Sequence, residues 1–95
     1  MTRENILAVI EAHREQLRQL GIRELALFGS YARGDAGPES DIDFLVEFER
    51  VSFDGYMDLK EFLEELFGKR VDLVTKSAIK ERLRESILAE AVRAA

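Results

Sequence analysis

The length of the chain, 95 residues, is the feature that most restricts its possible folds. Single domains typically contain about 100–200 residues, so a second hydrophobic core would not fit. A chain of this size buries only roughly 60–65% of the surface that its unfolded form exposes, so its core is small. We therefore expect one domain spanning residues 1–95, with no room for a separate acceptor-binding domain.

The charge and residue types of the chain restrict its function. The chain has 14 Lys and Arg residues and 19 Asp and Glu residues, which give a net charge of −5. A negative net charge disfavours binding to a polyanion, so no direct binding of nucleic acid is expected. The absence of cysteine excludes disulfides and Cys-ligated metal sites and suits a reducing compartment. The apolar run at 6–10 is too short for a signal peptide or membrane span. We expect a cytoplasmic protein without membrane partners.

Hydrophobic periodicity predicts helices that alternate with strands. The first segment, with Thr2 as N-cap and Gly21 at its end, places apolar residues at helical spacing. Segments 22–28 and 41–48 carry the apolar runs and alternation that are typical of strands. A second helix, a third strand and a final amphipathic helix are expected at 56–67, at 71–74 and from Ser77 onward.

The lengths of the connections predict the topology. About a dozen residues join the first two strands, which is marginal for a packed crossover helix, so these strands are expected to be antiparallel. The second connection contains a full helix and can therefore carry a right-handed parallel crossover. We expect an α/β (α+β) fold, in which a small mixed sheet of three or more strands is flanked by helices.

Candidate chemistry is confined to two neighbouring segments. The sequence lacks the glycine patterns of dinucleotide and P-loop sites, and its one histidine, His13, is typical of a helix surface. Gly29 allows a sharp turn and close approach of a ligand, and Ser30 offers a hydroxyl and an amide that suit phosphate. Asp41 and Asp43 are two apart on a strand, so both carboxylates leave the same face. Such a pair suits Mg²⁺, and two ions about 3.5–4 Å apart would clamp an in-line displacement at phosphorus.

Plainer explanations exist for each part of this pattern. An Asp-x-Asp can be a solvated strand edge, a Gly-Ser pair is often a turn, and Arg33 can pair with Asp35 or Glu39. The combination favours a site, because a phosphate-suited turn closes one strand and two acids open the next. Asp72 lies between apolar residues of the third strand. If that strand lies beside the second, three carboxylates converge, and Asp72 can serve as metal ligand and general base.

Gly29-Ser30, followed after ten residues by Asp41-Ile42-Asp43, resembles the signature of the DNA polymerase β-type nucleotidyltransferases. The longer strings resemble the minimal nucleotidyltransferases encoded beside HEPN-domain partners in toxin–antitoxin pairs. These strings are GSYARGDAGPESDIDFLVEF, KRVDLVT and ESILAEAV. The resemblance covers essentially the whole chain and implies the polymerase β-type nucleotidyltransferase fold.

The resemblance also implies roles for individual residues. One group would bind the nucleotide triphosphate, and the three acids would be catalytic and would bind Mg²⁺, as two ions. The residues concerned are Gly29, Ser30, Arg33 and Ser40 for the nucleotide, and Asp41, Asp43 and Asp72 for catalysis and metal binding.

The function implied by the resemblance is that of a Mg²⁺-dependent protein adenylyltransferase. It would transfer AMP from ATP onto a tyrosine of a HEPN-family toxin, form a hetero-oligomer with that toxin and act as a type VII-like antitoxin. Two alternatives stay open. The chain could be a non-catalytic antitoxin that occludes its partner through apolar helix faces, or a nucleotidyltransferase with a small-molecule acceptor, which would need further substrate-binding structure.

Overall fold

The computed structural model describes residues 1–79 and 81–95. Its elements are α1 (Arg3–Ala12), α2 (Arg14–Gln19), β1 (Ile22–Phe28), α3 (Gly29–Arg33), β2 (Ile42–Phe48), α4 (Phe53–Phe67), β3 (Val71–Thr75), a 3₁₀ turn (Lys76–Ala78), α5 (Glu81–Glu90) and β4 (Val92–Arg93). The four strands form one sheet in the order β3-β2-β1-β4. Strand β1 is antiparallel to β2 and β4, and β2 is parallel to β3. The predicted mixed sheet and the orientations of its first three strands are therefore confirmed.

The predicted N-terminal helix is divided in two at His13. Thr2 caps α1 as expected, since its hydroxyl accepts a hydrogen bond from the Asn5 N–H at 3.1 Å. At the break, the His13 N–H donates to the Ile10 carbonyl at 3.0 Å, and the His13 ring Nδ1 bonds the Val9 carbonyl at 2.8 Å. The ring thus takes the carbonyl that the His13 N–H would bond in a continuous helix. His13 has a structural role here.

The core lies between one face of the sheet and the helices α1, α2 and α4. Alternate residues of β2 point into it, as the period of two predicts. Leu45 is also buried, at 2% exposure, on the opposite face. The largest fully buried side chains of this core are Phe44, Ile6, Ile10, Leu17, Leu25, Leu27, Ile42, Leu59, Leu63, Val46 and Val71. Burial of each such side chain contributes roughly 1.5–3 kcal/mol relative to exposure.

Helix α4 begins three residues before the predicted start, at Phe53. Its N-cap is Ser52, whose hydroxyl accepts from the Gly55 N–H at 3.0 Å. The helix ends at Gly68, as predicted, with a left-handed φ of 63°. In the described ranges, no helix is both long and apolar enough to cross a membrane.

The C-terminal segment differs most from the prediction. Ser77 does not cap a long helix, because it lies inside the 3₁₀ turn, and α5 begins later, at Glu81. After α5 the chain adds the unpredicted strand β4 beside β1, in which Val92 pairs with Leu27. The Leu25 carbonyl also accepts from the Ala94 N–H at 2.8 Å. This pairing holds the C-terminal end of α5 next to the end of β1.

Candidate active site

The acidic residues meet where β1 ends and where β2 and β3 begin. Phe28, the last residue of β1, lies opposite Asp43 in the antiparallel register. Asp72 is the direct neighbour of Asp43 in the parallel register of β2 and β3. Gly29 follows at the start of α3, so the turn and two of the acids occupy the same end of the sheet.

Asp43 and Asp72 lie side by side in the parallel pairing of β2 and β3, so their two acidic groups are close neighbours. Partial burial of Asp43 and then the negative charge of Asp72 raise the pKa of Asp43 from 3.8 to about 6. The charge of Asp41 adds to this rise, and the charge of Arg33 opposes it. Asp43 is therefore harder to ionise than an ordinary aspartate.

This pair makes a prediction for stability in the absence of metal. Because folding raises the pKa of Asp43, the folded protein binds more protons than the unfolded chain between pH 3.8 and about 6. The contribution of Asp43 to the free energy of unfolding is therefore lost as the pH rises through this range. We expect Asp43→Asn to melt at a higher temperature than the wild type at pH 8 in EDTA, and at the same temperature near pH 3.5. An equal difference at both pH values would contradict the raised pKa of Asp43.

Gly29 makes room for Asp43. Its φ is +76°, and a Cβ placed on it would lie 2.9 Å from the Asp43 Cγ, closer than real Cβ atoms approach another group. The sequence suggested close approach of a ligand as the reason for glycine. The structure shows a nearer cause, since the carboxyl group of Asp43 already lies over the backbone of the turn.

Two hydrogen-bond donors stand beside the acids, and both bind Glu90. The Gly29 N–H donates to Glu90 Oε1 at 3.0 Å. The Arg33 guanidinium lies 3.3 Å from both Glu90 oxygens, and it also pairs with Asp35 at 3.2 Å. Sequence reasoning missed Glu90, because it reaches the turn only through the unpredicted strand β4. The donors themselves are suited to an anion, as predicted for Gly29 and Arg33.

Ser40 is directed into its own loop. Its hydroxyl accepts from the Gly37 N–H at 2.9 Å, and its N–H donates to the Gly37 carbonyl at 3.1 Å. These bonds close the loop that leads from α3 to β2 and position Asp41 just before the strand. The structure thus does not bring the Ser40 side chain to Gly29 and Arg33, whereas Ser30 follows Gly29 directly in α3.

The three acids have the ligand type that a hard cation prefers, but their side chains are not arranged around a metal-binding position. Among the residues that the structure describes, no three Asp, Glu, His or Cys side chains are already arranged to hold a metal ion. Asp43 and Asp72 instead lie side by side in the sheet, and Asp41 acts on Asp43 through its charge. Carboxylate oxygens are the ligands that Mg²⁺ prefers, and a bound cation would relieve the repulsion between these acids.

Comparison with known protein families agrees with this geometry. The profile of the nucleotidyltransferase domain matches residues 10–94, which include β1, the turn at Gly29 and all three acids. The chain belongs to the nucleotidyltransferase domain family. It is an enzyme of the nucleotidyltransferase class, and its mixed sheet is the sheet of that fold.

Individual relatives resemble this nucleotidyltransferase over nearly its whole length. The protein adenylyltransferase MntA of Thermococcus cleftensis is 45% identical over 94 residues, which cover 97% of this chain and 95% of the relative. A solved minimal nucleotidyltransferase is 40% identical, with a TM-score of 0.84 over 97% of this chain and 95% of that one. A solved complex of tri-AMPylated HEPN toxin with MNT antitoxin from Shewanella oneidensis contains a chain of the same fold. That chain is 20% identical, with a TM-score of 0.67 and coverage of 94% and 71%.

Proposed function

We propose that this nucleotidyltransferase is a protein adenylyltransferase that transfers AMP from ATP onto a tyrosine hydroxyl of a HEPN-family toxin and thereby acts as its antitoxin. The observation that carries the proposal is the juxtaposition of the Asp43–Asp72 pair with the donors of Gly29 and Arg33 at one end of the sheet. Relatives support the protein acceptor, because the Thermococcus cleftensis protein is named a protein adenylyltransferase. The Shewanella oneidensis complex pairs an MNT antitoxin with an AMPylated HEPN toxin.

The proposed roles follow from the donors and acceptors at the site. The Gly29 N–H and the Arg33 guanidinium donate to phosphate oxygens of ATP, and Ser30 lies beside them in α3. Asp41, Asp43 and Asp72 would hold two Mg²⁺ ions, which supply charge stabilisation at the phosphate oxygens when they are bound. The proposal places the protein in the cytoplasm, where ATP and Mg²⁺ are available.

Transfer requires that the acceptor hydroxyl lose its proton. A tyrosine hydroxyl has an ordinary pKa of about 10, so a base at the site assists its attack at neutral pH. Asp72 is exposed and lies on β3, an edge strand of the sheet. An acceptor tyrosine from another protein can therefore reach it. The tyrosine oxygen forms a bond to the α-phosphorus, the bond from that phosphorus to the β-phosphate bridging oxygen breaks, and pyrophosphate leaves with the electron pair.

The role of Asp72 can be tested by separating nucleotide binding from transfer. We expect Asp72→Asn to retain binding of the ATP analogue AMP-PNP in MgCl₂ while the rate of AMP transfer falls about 10²–10⁴-fold, the usual contribution of general-base catalysis. The matched control is Asp58→Asn, at an exposed position of α4. Calorimetry measures the binding and mass spectrometry measures the transfer. An unchanged transfer rate in Asp72→Asn would show that Asp72 is not the base.

A further inference from the structure

Glu90 occupies the donors that the proposed function assigns to the nucleotide. Its carboxylate accepts from the Gly29 N–H at 3.0 Å and lies 3.3 Å from the Arg33 guanidinium through both of its oxygens. A carboxylate is an anion with two acceptor oxygens. A phosphate group also presents two anionic acceptor oxygens to a pair of donors. Glu90 is half-buried, with 27% of its side chain exposed, so this contact is partly shielded from water.

The backbone of β4 determines this position of Glu90. Val92 pairs with Leu27 near the end of β1, and Glu90, the last residue of α5, lies two residues before Val92. Hydrogen bonds between Leu25 and the residues that follow β4 fasten the same segment to β1, among them a bond of 2.9 Å from the Leu25 N–H to the Ala95 carbonyl. The pairing of β4 with β1 therefore holds the end of α5 beside the turn at Gly29, where the Glu90 carboxylate accepts the Gly29 N–H.

We propose that Glu90 is an internal competitor of the nucleotide triphosphate, and that it sets the affinity of the enzyme for ATP. The inference rests on the proposed function, because it takes Gly29 and Arg33 as the donors to phosphate. One N–H has one proton to donate, so a phosphate oxygen that binds Gly29 displaces the Glu90 oxygen. The carboxylate also adds a negative charge to a site that already contains Asp41, Asp43 and Asp72, and this charge opposes the entry of a polyanion.

The test is the affinity for AMP-PNP, measured by calorimetry in MgCl₂ for the wild-type protein, Glu90→Gln and Glu90→Ala. Both variants lose the charge, and alanine also loses the acceptor. We expect each to bind AMP-PNP at least about fivefold more tightly than the wild type, the change in affinity that follows from the loss of about 1 kcal/mol of competing interaction. The matched control is Glu85→Gln, which removes a charge from an exposed position of the same helix and should leave the affinity within twofold.

The results that would contradict this expectation distinguish a failure of the inference from a failure of the proposed function. If Glu90→Gln and Glu90→Ala bind AMP-PNP equally or more weakly while the wild type binds it normally, Glu90 does not compete with the nucleotide, and the inference is wrong. If neither the wild type nor any variant binds AMP-PNP, the proposed function is wrong and the inference fails with it. The Gly29 amide signal in a ¹⁵N–¹H NMR spectrum provides an independent readout. It should shift on the Glu90→Ala substitution, and an unchanged signal would contradict the contact itself.

Discussion

Replacing Asp43 with asparagine is expected to abolish AMP transfer without unfolding the protein. Asp43 lies beside Asp72 in the sheet and feels the charges of both Asp72 and Asp41, so its carboxylate is central to the proposed binding of Mg²⁺. Charge stabilisation by metal ions is worth several kcal/mol in the transition state, so we expect the rate to fall by about 10³-fold or more. The substitution also removes a negative charge that burial and the neighbouring acids disfavour, so the melting temperature in EDTA at pH 8 should rise. Intact-mass measurement of the partner protein gives the rate, and a thermal melt gives the stability.

The control for this substitution is Asp58→Asn, which removes an exposed carboxylate from α4, away from the sheet end. It should leave both the rate and the melting temperature nearly unchanged. Transfer by Asp43→Asn at the wild-type rate would show that the metal site lies elsewhere. A loss of activity accompanied by a lower melting temperature would indicate damage to the fold and would contradict the role of Asp43 as an electrostatically strained ligand.

Replacing Gly29 with alanine is expected to cause a large loss of stability. The added Cβ would meet the Asp43 side chain, with the Cγ only 2.9 Å away, and the φ of +76° is rarely adopted by residues with a side chain. Left-handed backbone alone costs roughly 1–3 kcal/mol, and the clash adds to it, so we expect the free energy of unfolding to fall by about 3 kcal/mol or more. Denaturation in urea measures this change.

Substitutions at two other glycines distinguish the cost of the left-handed backbone from the cost of the clash with Asp43. Gly34 has a φ of +86° with open space around the added Cβ, and Gly37 has open space without a left-handed φ. Gly34→Ala should therefore show the backbone cost alone, and Gly37→Ala should cost little. In the Gly29→Ala background, Asp43→Ala should recover part of the lost stability, because it removes the Cγ that clashes. A loss in Gly29→Ala no larger than that in Gly34→Ala would show that the turn tolerates a side chain beside Asp43.

The sequence predicts the acidic end of the sheet because that arrangement depends on local patterns. Alternation in β2 fixes the face of Asp43, and the connection lengths imply antiparallel and parallel pairing on its two sides. These features make the convergence of Asp72 with Asp41 and Asp43 conditional on β3 lying beside β2, and the structure places Asp72 next to Asp43. The contact of Gly29 with Asp43 is not predictable in this way, because it depends on how closely the turn after β1 approaches the next strand.

The contacts that could not be predicted join residues that are far apart in the sequence. Glu90 lies 61 positions from Gly29 in the sequence, and it arrives there through β4, a strand of two residues that is too short to show a period of two. The break at His13 is likewise hidden from the sequence, since apolar spacing continues across it. It results from a ring nitrogen that competes with the backbone for the Val9 carbonyl.

The proposal of protein adenylylation is tested most directly by the intact mass of a purified HEPN-domain partner after incubation with this enzyme, ATP and MgCl₂. The partner is expected to gain the mass of one or more AMP units, located on tyrosine by peptide fragmentation, and to stay inactive after the enzyme is removed. The Asp43→Asn enzyme should produce no such gain. A partner whose mass is unchanged, and which is fully inhibited without ATP and recovers on dissociation, would contradict the proposal and identify the chain as an occluding antitoxin.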